Sequence, residues 1–149
     1  MKSTRTYTYV ENYYREVVVV RNQRLELPVT RLEIDLNQLE KNYLAIRDRI
    51  GKDVGVISVL KADAYGHGIL PIAKKLSELG TSKIGIASLS EAKIIRQAGI
   101  RTPLLLLYPP AQTELAEFLD LKVEVTLNNL QAARLMNDLA AKKKTEAFI

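Results

Sequence analysis

An α/β fold of parallel βαβ units is what this sequence predicts, and three observations predict it. Apolar runs of strand length recur, each is followed by a stretch with helical three-and-four spacing, and Gly, Ser or Asn marks the joints. The composition suits a packed domain: 149 residues, 47% hydrophobic and 26% charged, as in ordinary globular chains. No apolar run approaches the roughly 20 residues needed to cross a bilayer. Met1 precedes polar residues rather than a basic start and an apolar run, so a cytoplasmic protein without a membrane span is expected. With no Cys and a single His, His67, there is no material for disulfides, thiolate metal sites or a His cluster, and no metal is expected. The net charge of +5 raises nucleic acid as a partner. The basic residues are scattered over helical segments, however, and the one run, residues 142–144, falls at a predicted helix end where cations suit the dipole. No nucleic-acid partner is expected.

Residues 1–30 carry Tyr-rich and Val-rich pieces (Tyr7, Tyr9, Tyr13, Tyr14, then residues 17–20) without helical period, ending near Pro28. They read as an amino-terminal extension with the makings of one strand. From Arg31 the pattern becomes regular. Leu32, Ile34 and Leu36 alternate, then Leu36, Leu39, Tyr43, Ile46 and Ile50 mark an amphipathic helix that Gly51 stops. Residues 54–60 read as a buried strand, followed by a polar Gly-containing turn and a helix built on Ile69, Ile72, Leu76 and Leu79. The unit then repeats. Residues 84–87 form a strand, Ser88 and Glu91 an S-x-x-E capping box, and the helix through Ile95 ends at Gly99. A third strand at 103–107 leads to a helix through Leu115 and Phe118. A fourth at 123–127, with Asn128 as N-cap, leads to a helix through Leu135 and Leu139.

Such units imply a parallel sheet with right-handed crossovers and both faces covered. An open doubly wound sheet and a (β/α)8 barrel both satisfy four of them, and no Rossmann glycine fingerprint follows the first strand. Residues 146–149 read as a fifth strand just beginning, from which further barrel units are expected beyond it.

In parallel α/β folds functional groups gather at the carboxyl ends of strands, where the loops into the helices sit. Lys61 falls there, directly after an apolar strand and beside a turn containing Tyr65, Gly66, His67 and Gly68. Such a lysine suits a Schiff base, provided that burial or a cationic neighbour lowers its ordinary pKa of about 10.4. Tyr65 supplies a hydroxyl within the same loop, for a phosphate or for the lysine nitrogen. By composition alone, a solvated lysine, a packing tyrosine and a loop histidine would be the commoner occupants of such a turn. The order of the residues decides otherwise.

Residues 58–68, Ser-Val-Leu-Lys-Ala-Asp-Ala-Tyr-Gly-His-Gly, closely resemble the cofactor-lysine motif of the alanine racemases. Residues 32–43 resemble the opening segment of that family, and 86–100 with 103–107 resemble its second and third units. The resemblance covers residues 31–149 and implies the amino-terminal portion of a (β/α)8 (TIM-type) barrel holding about the first four βα units. It also implies pyridoxal 5'-phosphate as cofactor and alanine as substrate, with D-alanine supplied for peptidoglycan. By position, Lys61 corresponds to the lysine that forms the internal aldimine and acts as one catalytic base. Tyr65 matches the tyrosine that helps hold the phosphate, and Leu107 an apolar residue lining the cofactor pocket. Tyr108, Pro109 and Pro110 depart from the smaller residues that often follow the third strand.

The family places an arginine facing the pyridine nitrogen, further phosphate contacts and a C-terminal β domain beyond residue 149. Its second base is a tyrosine from the partner subunit, which implies a homodimer and an inactive isolated fragment. Alternatives from the same cofactor class are a broad-specificity racemase, a decarboxylase or a non-catalytic cofactor carrier. Outside it stands an interaction or scaffold module with a decayed site.

Overall fold

β-Branched and aromatic residues dominate the amino-terminal segment, and there they form two strands, β1 (Thr4–Val10) and β2 (Tyr13–Val19), where one was expected. The computed structural model describes Thr4–Val10, Tyr13–Val19 and residues 30–149, with side chains from residue 32 on. The end of the extension near Pro28 lies outside the described residues. The alternating Leu32 and Ile34 belong to β3 (Thr30–Asp35), and β1, β2 and β3 pair antiparallel in that order. Asp35 then caps α1 (Leu36–Ile50), its Oδ1 accepting from the backbone N–H groups of Asn37 at 2.8 Å and Gln38 at 3.1 Å. Leu36 and Tyr43 are buried while Ile46 is exposed, so the apolar stripe is covered at its start only. Gly51 ends the helix at φ 84°, as its sequence position predicted.

The chain divides into Met1–Lys52, which holds these elements, and Asp53–Ile149. The second unit contains a four-stranded parallel sheet in the order β4 (Ile57–Val59), β5 (Lys83–Ile86), β6 (Leu104–Leu106) and β7 (Val123–Val125). Between the strands run a short turn α2 (Lys61–Tyr65), then α3 (Ile69–Glu78), α4 (Leu89–Gln97), and α5 (Leu115–Asp120) after a 3-10 turn. α6 (Leu130–Lys143) follows β7. The alternation of strands and helices is thus the one read from the sequence.

Several details differ from that reading. β4 is three residues long rather than seven, and Val54 and Ile57 are exposed, because β4 lies at a sheet edge and pairs with β5 alone. Gly55 lets Ser82 approach: a Cβ there would lie 2.9 Å from Ser82 Oγ, which accepts from the Val56 N–H at 3.1 Å. The N-cap of α6 is Asn129, not Asn128; Asn129 Oδ1 accepts from the Ala132 N–H at 2.8 Å. Both asparagines can cap, and the extended backbone of Asn129 selects it. Residues 146–149 form no strand, although the Phe148 carbonyl accepts from the Val125 N–H at 3.0 Å, beside β7 where a fifth strand would pair.

The expectation that both sheet faces are covered also fails. Ile84, Ile86, Leu104, Leu106, Val123 and Val125 are at most 2% exposed, whereas their alternates Lys83, Leu105, Leu107 and Glu124 are half-buried. Successive strand side chains point to opposite faces, so one face is packed and the other stands open, crossed by the Lys83–Glu124 ion pair. Among the described residues no helix is long and apolar enough to cross a membrane, and no group of three or more His, Asp or Glu could hold a metal ion.

Arg96 ties the amino-terminal side of this sheet together. Its Nε donates to the Leu121 carbonyl at 3.0 Å and its Nη1 to those of Ile100 and Thr102, each at 2.9 Å. Burial, and then Arg101, push its pKa down, but a guanidinium stays charged. Replacing it removes several charge-assisted bonds and leaves carbonyls short of donors, so Arg96→Ala should cost about 2 kcal/mol or more. Urea unfolding measures this, and a loss within error of zero would contradict the assignment.

Candidate functional site

Leu60 follows β4, its N–H donating to the Gly85 carbonyl at 2.8 Å, and the chain then turns sharply. Ala62, Asp63, Ala64 and Tyr65 all have φ between 53° and 57°, the left-handed region, and Gly66 follows at φ 83°. In L-residues with a Cβ this conformation costs about 1–2 kcal/mol each and persists only where the surroundings over-determine it. Here they do. The Ala64 N–H donates to the Leu60 carbonyl at 2.9 Å, and Gly66 and Gly68 donate to the Asp63 carbonyl at 3.1 and 3.0 Å. Asp63 Oδ1 accepts from the Ile69 N–H at 2.7 Å, capping α3 from across the turn, and His67 Nδ1 lies 2.8 Å from the Ala64 carbonyl oxygen.

The capping box read at Ser88 and Glu91 is half formed. Ser88 Oγ accepts from the Glu91 N–H at 3.3 Å, but the Glu91 carboxylate does not return to Ser88. Its Oε2 accepts from the Ala87 N–H at 2.8 Å and its Oε1 from the Ala62 N–H at 2.7 Å, the first peptide of the left-handed turn. Sequence spacing signalled a helix start at Glu91; that its other oxygen reaches the Lys61 loop, 29 residues earlier, follows only from β4 lying beside β5.

Lys61 emerges at the carboxyl end of β4, as predicted, and its Nζ donates to Tyr108 Oη at 2.8 Å, lying 5.2 Å from the centre of that ring. The sequence required burial or a cation to lower its pKa; the structure does the reverse. Lys61 is half-buried, and the hydrogen bond to Tyr108 holds its ammonium above the ordinary lysine range, with burial opposing the shift and Tyr65 adding a smaller effect. Tyr65 is 59% exposed, and its hydroxyl has no hydrogen-bond partner among the described residues, so Tyr108 and not Tyr65 meets the lysine nitrogen. Leu107 lies on the open face: a Cβ at Gly85 would be 3.2 Å from Leu107 Cδ1 and 3.3 Å from Val59 Cγ2. The missing side chain of Gly85 therefore lets Leu107 and Val59 close over β5. Val59 ends β4 two residues before Lys61, so this apolar floor lies next to the turn that carries the lysine. Neither Gly85 nor Val59 was singled out by sequence reasoning.

Residues 34–149 match the family described as alanine racemase, N-terminal domain. The chain belongs to that family. The family domain is a TIM-type barrel, so the four βα units are part of a barrel wall, whose inner face a barrel covers with its own interior side chains. An alanine racemase of Halothermothrix orenii is 40% identical over 123 residues, 81% of this chain and 32% of the relative. One of Methylacidiphilum infernorum is 36% identical over 122 residues, 82% of this chain and 32% of the relative. Among solved structures, alanine racemase of Clostridium difficile superposes with TM-score 0.73 at 29% identity, covering 75% of this chain and 30% of that one. The Bacillus anthracis enzyme with bound L-Ala-P reaches TM-score 0.65 at 31% identity, covering 70% and 27%. The chain thus spans about a third of the length of the curated relatives it matches.

Two measurements test this geometry. Tyr108→Phe removes the acceptor that favours the charged lysine, so the pH midpoint of Lys61 acylation should fall and more free amine should exist at neutral pH; an unchanged or higher midpoint would contradict the contact. Ala62→Gly removes a Cβ from a left-handed residue and should stabilise the fold by about 0.5–1 kcal/mol. In a right-handed helix the same change would cost about 1 kcal/mol, so thermal unfolding reads the handedness directly.

Proposed function

We propose that this chain is the cofactor-lysine portion of an alanine racemase, with residues 31–149 as the first part of its barrel. On this reading the complete protein interconverts L- and D-alanine and feeds D-alanine to peptidoglycan in the cytoplasm of the cell, as a homodimer. The observation that carries the reading is Lys61 at the carboxyl end of β4, within Lys-Ala-Asp-Ala-Tyr-Gly-His-Gly, in a chain of this family.

The residues present fit pyridoxal 5'-phosphate. Lys61 offers an accessible amine, the gap at Gly85 leaves an apolar floor of Leu107 and Val59, and the uncommitted Tyr65 hydroxyl is available to a phosphate oxygen. When bound, the cofactor supplies an electron sink for the charge left when an amino acid loses its Cα proton. Lys61, once deprotonated, holds that proton at Nζ, and Tyr108 Oη is placed to stabilise the resulting ammonium. Leu107 and Val59 keep water from the floor of the site, while Tyr65 orients the phosphate end. Racemisation also needs a base on the opposite face of Cα. For that role the family implies a tyrosine of the partner subunit, and with it an inactive isolated chain.

Incubating the chain with pyridoxal phosphate, reducing with borohydride and mapping adducts by peptide mass spectrometry tests the reading. A dominant adduct on Lys61 over exposed lysines such as Lys74 and Lys142 is expected. Scattered labelling, or labelling that survives Lys61→Ala undiminished, would overturn it. Alanine racemisation by the isolated chain should not exceed that of Lys61→Ala; a clear excess would show that no second subunit base is needed.

A further inference from the structure

The geometry points to Glu91 as the positioning residue of the lysine site: its carboxylate bridges the Ala62 and Ala87 N–H groups and thereby fixes where Lys61 leaves the sheet. As a statement about a cofactor lysine this rests on the reading above; as a statement about Lys61 and Tyr108 it stands without it.

The bridge joins two backbone points that no strand pairing connects. Ala87 directly follows β5, and Ala62 opens the left-handed turn one residue after Lys61. Both carboxylate oxygens are engaged, at 2.7 and 2.8 Å, as expected of charge-assisted bonds. Glu91 itself is anchored in the first turn of α4, where a negative charge is favoured by the helix dipole, and Ser88 Oγ accepts from its N–H. A plain helix cap would need only the Ser88 contact. The second oxygen serves Ala62, whose N–H points out of a turn that cannot satisfy it by the usual helical pairing.

The consequence is felt at Nζ. Lys61 meets Tyr108, at the far end of β6, only while the turn holds its backbone in place. The groups that act on its charge are Tyr108 and, less strongly, Tyr65, so Glu91 works through position rather than through its own field.

Competitive acylation of the full chain between about pH 7 and 11, read at the Lys61 peptide by mass spectrometry, separates these roles. Glu91→Ala should lower the Lys61 midpoint toward that of Tyr108→Phe and so raise the share of free amine at neutral pH. Ser88→Ala removes the helix cap but leaves the bridge, and should leave the midpoint at the wild-type value. Glu91→Gln keeps the size and one carbonyl acceptor but turns an N–H donor toward another, so an intermediate midpoint is expected even if Glu91→Ala fails to fold. The proposal is overturned if Glu91→Gln and any folded Glu91→Ala match wild type, or if Ser88→Ala shifts the midpoint as far as they do. Loss of pyridoxal phosphate labelling at Lys61 in the wild-type chain would instead overturn the functional reading, since acylation needs no cofactor.

Discussion

Four consecutive left-handed residues behind Lys61 are the constraint on which the site depends. Ala, Asp and Tyr do not adopt that conformation by preference, so the turn exists only because neighbouring elements hold it. Each tie reaches a different part of the unit: Leu60 to β5, Asp63 to the start of α3, and Ala62 to Glu91 on α4. The lysine is therefore positioned by a sheet and two helices together, and a short peptide with the same residues would not hold it.

The sheet is the second element of that arrangement. Its packed face carries Ile and Leu in regular alternation, and the opposite face carries Val59, Gly85, Leu105, Leu107 and an ion pair. An isolated α/β sheet would cover both faces with helices, whereas a barrel wall covers the inner face with the other strands of the barrel. The half-buried inner residues are thus the expected state of a wall of four strands.

Electrostatics at the site run against the simplest picture of a reactive lysine. Desolvation of Lys61 is outweighed by its immediate neighbour, a phenol that favours the ammonium. An amine held in this way is stored in its charged form and must leave Tyr108 to act as a nucleophile.

The sequence alone determined the order of strands and helices from residue 54 to 143, the helix ends at Gly51 and Gly99, and the position of Lys61 after a strand. Each of these rests on local periodicity, on glycine's conformational freedom or on an eight-residue string. It did not determine that β4 would shrink to three residues, since strand length at an edge depends on which partner lies beside it. Nor could spacing tell that Glu91 reaches past its own helix, or that Tyr108 rather than Tyr65 meets the lysine. Those contacts span 29 and 47 residues and exist only because parallel strands bring their carboxyl ends into one row. Chemistry was legible where neighbours in the chain supply it, and tertiary structure decided it where the neighbours come from adjacent strands.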